Sequence, residues 1–226
     1  MNAAIMTRPH VTLKLATSLD GRIATASGES KWITSPEARA EVQRLRAATQ
    51  AVIVGAGTAR ADDPELLART EPPPQRQPLR VVVDTEFSLK PTARLFANFD
   101  RGRVLIIGAL DADAAARAGL ERAGAQTAAV ARGPVGIDAE AALEHLAAEG
   151  IERVLVEGGG VLAASLLAAD AVDRLEWFRA PIILGGDGRP AVAALGLTKL
   201  AEASAWRRIA LRELGPDLWE SYERVS

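Results

Sequence analysis

The feature that most constrains this chain is an alternation of two hydrophobic periods. Short apolar runs of strand character take turns with segments whose apolar residues recur at helical spacing. VTLKLA (11–16), AVIV (51–54), LRVVVD (79–84), RVLIIG (103–108), TAAVA (127–131) and RVLVE (153–157) read as strands. Helices are expected near 111–123, 138–149 and 160–169. Another opens at Thr34-Ser35-Pro36-Glu37, which has the form of a capping box, and places Ala38, Val42, Leu45 and Thr49 on one face. Strand–helix–strand order predicts an α/β fold with a mainly parallel central sheet covered on both faces by helices.

The rhythm breaks at the end of the chain. WRRIALREL and LWESYERV flank Gly215-Pro216-Asp217 and predict a C-terminal antiparallel hairpin. The proline-rich TEPPPQRQP (70–78) reads as a stiff, extended loop rather than a domain linker, so residues 1–226 are read as a single domain. The WFRAPIIL strand and the hairpin either complete the core or form a dimer interface.

Composition removes several classes of chemistry. The chain has no cysteine, which excludes disulfides, thiolate catalysis and cysteine-ligated metals, and only two histidines, His10 and His145, so no metal site is expected. His145 falls on a predicted helix and reads as a half-buried or solvated structural residue. A net charge of −2 gives no general attraction to nucleic acid or an anionic membrane. The first residues, MNAAIMTRPH, lack the apolar core of a signal peptide, and no run approaches the ~20 apolar residues of a membrane span, so a cytoplasmic location is expected.

Four stretches stand out as candidate sites. VIVGAGTARAD (52–62) imitates the opening of a dinucleotide fingerprint, but Arg60 stands where a third glycine belongs and the proline loop occupies the interval of the crossover helix. A glycine turn feeding a short helix still offers free N–H groups to phosphate. ADDPELLAR (61–69) is either a solvated turn or a mixed-charge clamp on a polar ligand. SLDGRIATASGESKWIT (18–34) is a long polar loop in which Trp32 either caps the core or covers a flat ring. In LVEGGGVLAASLL (155–167), Glu157 precedes three glycines at a strand-to-helix turn. Lys14, inside an otherwise apolar strand, must be paired or lie in a cleft unless that strand is an edge.

Taken together, VTLKLATSLDGRIATASGESKWIT, VIVGAGTARADDPELLAR, LRVVVD and LVEGGGVLAASLL resemble the reductase domain of bifunctional riboflavin-biosynthesis proteins, over nearly the whole chain and in family order. The resemblance implies a dihydrofolate-reductase-like fold with NADPH bound across the strand ends. It implies reduction of 5-amino-6-(5-phosphoribosylamino)uracil to the ribitylamino product, by hydride transfer to the ribose C1′. Matched position by position, it implies substrate contacts at Ser30, Arg46, Leu66, Arg69 and Glu157. It implies cofactor contacts at Ala16, Trp32, Thr58, Asp62, Thr85, Gly158, Gly159, Gly160, Val161, Leu162 and Ser165. It also implies a homodimer and a cis linkage between Gly158 and Gly159. Lys14 and Asp62 are the candidates for proton handling.

Two departures from the family pattern are visible. The H-x-E and P-C-x-x-C signature of its zinc deaminase domain is absent, so a separate deaminase is expected elsewhere. Leu67 stands where a threonine is often found. Reduction of a dihydrofolate-type pterin and a non-catalytic nucleotide-binding partner domain are the alternative readings.

Overall fold

The structure is a computed structural model that describes residues 8–225. The reading of the first residues as lacking a signal peptide falls largely on 1–7, outside the described residues. The chain runs β1 (His10–Thr17), β2 (Arg22–Ala24), α1 (Pro36–Ala47), β3 (Ala51–Gly55), α2 (Ala56–Asp62), β4 (Leu79–Val83) and β5 (Val104–Ala109). It continues through α3 (Ala114–Arg122), β6 (Gln126–Val130), α4 (Ala139–Ala148), β7 (Arg153–Val156), α5 (Gly160–Ala168) and β8 (Arg174–Arg179). The last strands are β9 (Arg189–Pro190), β10 (Trp206–Leu214) and β11 (Asp217–Arg224).

Nine strands form one sheet in the order β10-β11-β8-β1-β7-β3-β4-β5-β6, parallel from β8 to β6. In this sheet β11 alone runs opposite to the rest, pairing antiparallel with β8 on one side and with β10 on the other, to which it is joined at Gly215-Pro216 in the expected hairpin. Each central strand divides its apolar residues between two cores. Ala51 and Ile53 of β3, Val81 of β4 and Leu105 and Ile107 of β5 pack against Leu143, Leu146, Ala163 and Leu166 of α4 and α5. Val52, Val54, Val82, Val104 and Ile106 face the other way, toward Ala59 of α2 and Leu120 of α3. Because the pleat sends successive side chains to opposite faces and both faces are covered, these strands read as unbroken apolar runs.

Three sequence expectations need correction. Ser35, not Thr34, caps α1: its Oγ accepts from the Ala38 N–H, and Glu37 sits one position too early to reach back as a capping box requires. The 18–34 segment is not loop throughout, since β2 pairs with β9 in a second, two-stranded sheet. The WFRAPIIL strand ends at Arg179. Phe178 is fully buried, whereas Ile183 is 73% exposed, so the strand completes the sheet between β1 and β11.

Arg80, fully buried on β4, donates to the carbonyls of Leu95 at 3.0 Å and Asn98 at 2.9 Å and so fixes the irregular segment before β5. Among the described residues, no helix is long and apolar enough to cross a membrane.

Candidate active site

The parallel strands end on a common rim, and the loops beyond them enclose a cavity of about 950 Å³. Open α/β sheets place ligands at this rim because the strand ends diverge there and expose backbone. Lys14, Ala16, Ser30, Trp32, Arg46, Thr58, Asp62, Thr85 and Glu157 all line it, with the run from Gly158 to Leu162 and Ser165. Residues far apart in sequence are therefore gathered along one wall.

At the floor, β1 lies between β7 and β8, so Lys14 is not at an edge and projects into the cleft. Burial lowers the Lys14 pKa, opposed by the nearby Glu157 carboxylate. Glu157 is joined to Arg46 at two points, Nε to Oε1 at 2.5 Å and Nη2 to Oε2 at 2.8 Å, while Arg46 Nη1 donates to the Leu67 carbonyl at 2.9 Å. Burial pushes the Glu157 carboxyl up, but the Arg46 guanidinium overcomes it and holds the pKa below the usual carboxylate range. The ordinary fate of the LRAAT arginine would be solvent, yet its side chain is 11% exposed. A signal was present: Ala38, Val42 and Arg46 recur at intervals of four on the buried stripe of α1.

The turn after Glu157 forms the middle of the wall. Gly158 and Gly159 take φ of 104° and 88°, a region that L side chains rarely occupy. Their linkage is trans, correcting the expectation of a cis bond; among the described residues the non-proline cis bond is Lys31–Trp32. Gly159 is the N-cap of α5 and provides no side-chain cap, leaving first-turn N–H groups without intrahelical partners. A Cβ on Gly159 would stand 3.1 Å from Thr58 Oγ1, and one on Gly160 would stand 2.6 Å from the Pro190 carbonyl. Bare backbone beside a hydroxyl is a suitable cradle for the phosphates of a dinucleotide.

At the mouth, Ser30 Oγ donates to Asp62 Oδ1 at 3.1 Å. Trp32 is 72% exposed, so it is not a core cap; the Arg39 guanidinium lies 4.4 Å from its ring centroid.

Of ADDPELLAR, Ala61, Asp62 and Pro64 line the cavity, and the rest of the stretch does not. Glu65 accepts from Asn98 and, at 3.4 Å, from Arg69, while Asp63 accepts from the Arg94 N–H. Arg69 is mostly exposed and lies outside the cavity wall, and the Leu66 side chain is buried in the core with φ 56°. Neither of these expected substrate contacts lines the cavity. Leu67 contributes its carbonyl to Arg46, and its own side chain is fully buried. Arg39, Arg60 and Arg189 also line the cavity, and sequence alone did not single them out as ligands.

The model of the RibD C-terminal domain matches residues 9–219. The chain belongs to the RibD C-terminal domain family. The riboflavin biosynthesis protein RibD of Bacillus amyloliquefaciens is 35% identical over 211 residues, which cover 93% of this chain and 56% of that protein. A RibD structure from Acinetobacter baumannii superposes with a TM-score of 0.83 at 31% identity, covering 98% of this chain and 59% of that one. A Thermotoga maritima structure, described as a diaminohydroxyphosphoribosylaminopyrimidine deaminase/5-amino-6-(5-phosphoribosylamino)uracil reductase, superposes with a TM-score of 0.78 at 28% identity. It is covered to 57% by 96% of this chain. The chain thus spans little more than half the length of these relatives.

Proposed function

We propose that this chain is an NADPH-dependent oxidoreductase that reduces 5-amino-6-(5-phosphoribosylamino)uracil to 5-amino-6-(5-phosphoribitylamino)uracil in riboflavin biosynthesis. The observation that carries the reading is one cavity in which the uncapped glycine turn of α5 adjoins the Lys14, Arg46 and Glu157 charges. The description of the Thermotoga maritima relative names this substrate. When bound, the cofactor would supply the hydride that reduction at the ribose C1′ requires.

The chain's own residues bind and orient. Backbone N–H groups at the start of α5, with the Thr58 hydroxyl, hold the cofactor phosphates. Trp32 covers a flat ring at the mouth. Ala16, Thr85, Val161, Leu162 and Ser165 complete the cofactor wall.

Glu157, fixed by Arg46, presents its remaining lone pairs to the pyrimidine N–H groups, and Ser30 adds a hydroxyl. When the ribose opens, its ring oxygen needs a proton. Lys14, whose ammonium is weakened by burial, supplies it, with Asp62 orienting the group. Arg69 turns from Glu65 to meet the substrate phosphate, and Leu66 contributes backbone only.

The residues of this chain would act as a reductase domain, as a homodimer in the cytoplasm. The test follows nicotinamide oxidation with purified chain, the deaminated pyrimidine, and NADPH or NADH. Turnover with NADPH is expected; none with either cofactor overturns the proposal. Turnover with a dihydropterin alone would assign the pterin reaction instead.

A further inference from the structure

Arg60 is the residue that spoiled the dinucleotide fingerprint in the sequence, and the proposed reaction leaves it without a role. It lies on α2, exposed, with its side chain on the cavity wall. Its Nη1 donates to Ser88 Oγ at 2.7 Å, and Ser88 Oγ donates in turn to Asp84 Oδ1 at 2.9 Å. The direction of this relay is fixed by chemistry. An ionised carboxylate only accepts, so the Ser88 proton points at Asp84 and the Ser88 lone pair faces Arg60.

The support beneath the relay is rigid. Asp84 is 2% exposed and its second oxygen accepts from the Leu89 N–H at 2.8 Å. Phe87 is buried in the same turn, packed so closely over Gly108 that a Cβ there would fall 2.5 Å from its ring. Ser88 thus orients Arg60 while occupying one of its N–H donors, and the rest of the guanidinium fork remains available.

The local charge balance favours an anion. The exposed carboxylate of this turn, Glu86, is held by Arg132 at 2.7 Å, and Arg132 also binds Asp111. Asp84 serves the turn. Among the described residues, Arg60 makes no direct ion pair: it meets a neutral hydroxyl, with the Asp84 carboxylate one hydroxyl further back, and its charge faces the cavity.

Position then names the ligand. Lys14 lies on β1 and Ser88 follows β4, three strands away in the order β1-β7-β3-β4, with the α5 cradle and Thr58 between them. Three strand spacings come to about 14 Å. An extended dinucleotide with its reactive ring at Lys14 and its diphosphate at α5 brings its adenosine ribose to Arg60.

We propose that Arg60, oriented by Ser88, recognises a phosphate monoester on the adenosine ribose and sets the preference for the phosphorylated dinucleotide. This rests on the reading of the cavity as a nicotinamide dinucleotide site. The test measures binding of adenosine 2′,5′-bisphosphate and of adenosine 5′-monophosphate by calorimetry, with no substrate and no turnover required.

Wild-type protein should bind the bisphosphate roughly 10- to 100-fold more tightly, the range for hydrogen bonds to a charged group. Arg60→Ala should erase that difference and leave the monophosphate within about twofold. Ser88→Ala should lose part of it, and Arg60→Lys should keep part of it. Equal binding of the two nucleotides by wild type, or discrimination that survives Arg60→Ala, overturns the assignment while leaving the cofactor site intact. Binding of neither nucleotide overturns the dinucleotide site itself.

Discussion

Arg46 and Glu157, 111 residues apart in sequence, meet in a two-point ion pair that ties the end of α1 to the turn after β7. Their side chains are 11% and 8% exposed, so neither charge has water in place of its partner. Removing one member of such a pair leaves an uncompensated charge, at a cost of about 3 kcal/mol or more. Glu157→Gln should lower unfolding stability by that order in urea titrations, whereas Glu223→Gln, at the exposed pair with Arg207, should change it by less than about 1 kcal/mol. Equal effects would contradict the burial argument.

The same pair sets a pH dependence. The folded pKa of Glu157 lies below its unfolded value. Its contribution is therefore fully present above the unfolded carboxylate pKa and is lost as pH falls through the depressed folded value. Wild-type stability should fall through that acidic window more steeply than that of Glu157→Gln. Parallel denaturation curves across that range would rule the linkage out.

Lys14 has the opposite sense. Its folded pKa is lowered, so between that value and the ordinary lysine pKa the unfolded chain carries the extra proton and stability rises with pH. Lys14→Met should flatten that rise in thermal melts. If the ammonium also handles a proton, turnover should fall by roughly 10²- to 10⁴-fold with little change in dinucleotide affinity. An unaltered kcat would remove Lys14 from the chemistry.

Two glycines on the cavity wall should respond differently to alanine. A Cβ at Gly160 would press to 2.6 Å from the Pro190 carbonyl, so Gly160→Ala must force α5 and β9 apart, at a cost of about 1–3 kcal/mol. Gly57 lies inside α2 with nothing within 4 Å of its added Cβ, and Gly57→Ala should stabilise by about 0.4–1 kcal/mol. Denaturant midpoints would show whether the two changes have opposite signs.

Trp32 gives a last separation of binding from folding. With 72% of its surface exposed, Trp32→Ala should alter stability by no more than about 1 kcal/mol, the scale of an exposed cation–π contact with Arg39. Its effect should appear as weaker dinucleotide binding, detectable as loss of the tryptophan fluorescence change on titration. A large drop in melting temperature with intact binding would make Trp32 a structural residue.

What can be read from a sequence divides along physical lines here. The sheet was legible because strands buried on both faces, such as Val52–Val54 and Ile106–Ile107, carry their signal in consecutive apolar residues. The hairpin was legible because Gly215, at φ 61°, and Pro216 are local turn chemistry. The β2–β9 pairing was not. Three residues and two residues hold too little pattern to mark a strand, and their partners are more than 160 positions apart.

The site divides in the same way. Sequence by itself determined which residues carry charge, where backbone is left bare at Gly158–Gly160, and that thiol chemistry is excluded. Only the tertiary structure decided that Arg46 turns inward to Glu157, that Arg69 faces out toward Glu65, and that Arg60 stands over Ser88. An arginine's partner depends on which element docks beside it, and docking is set by contacts summed over the whole core.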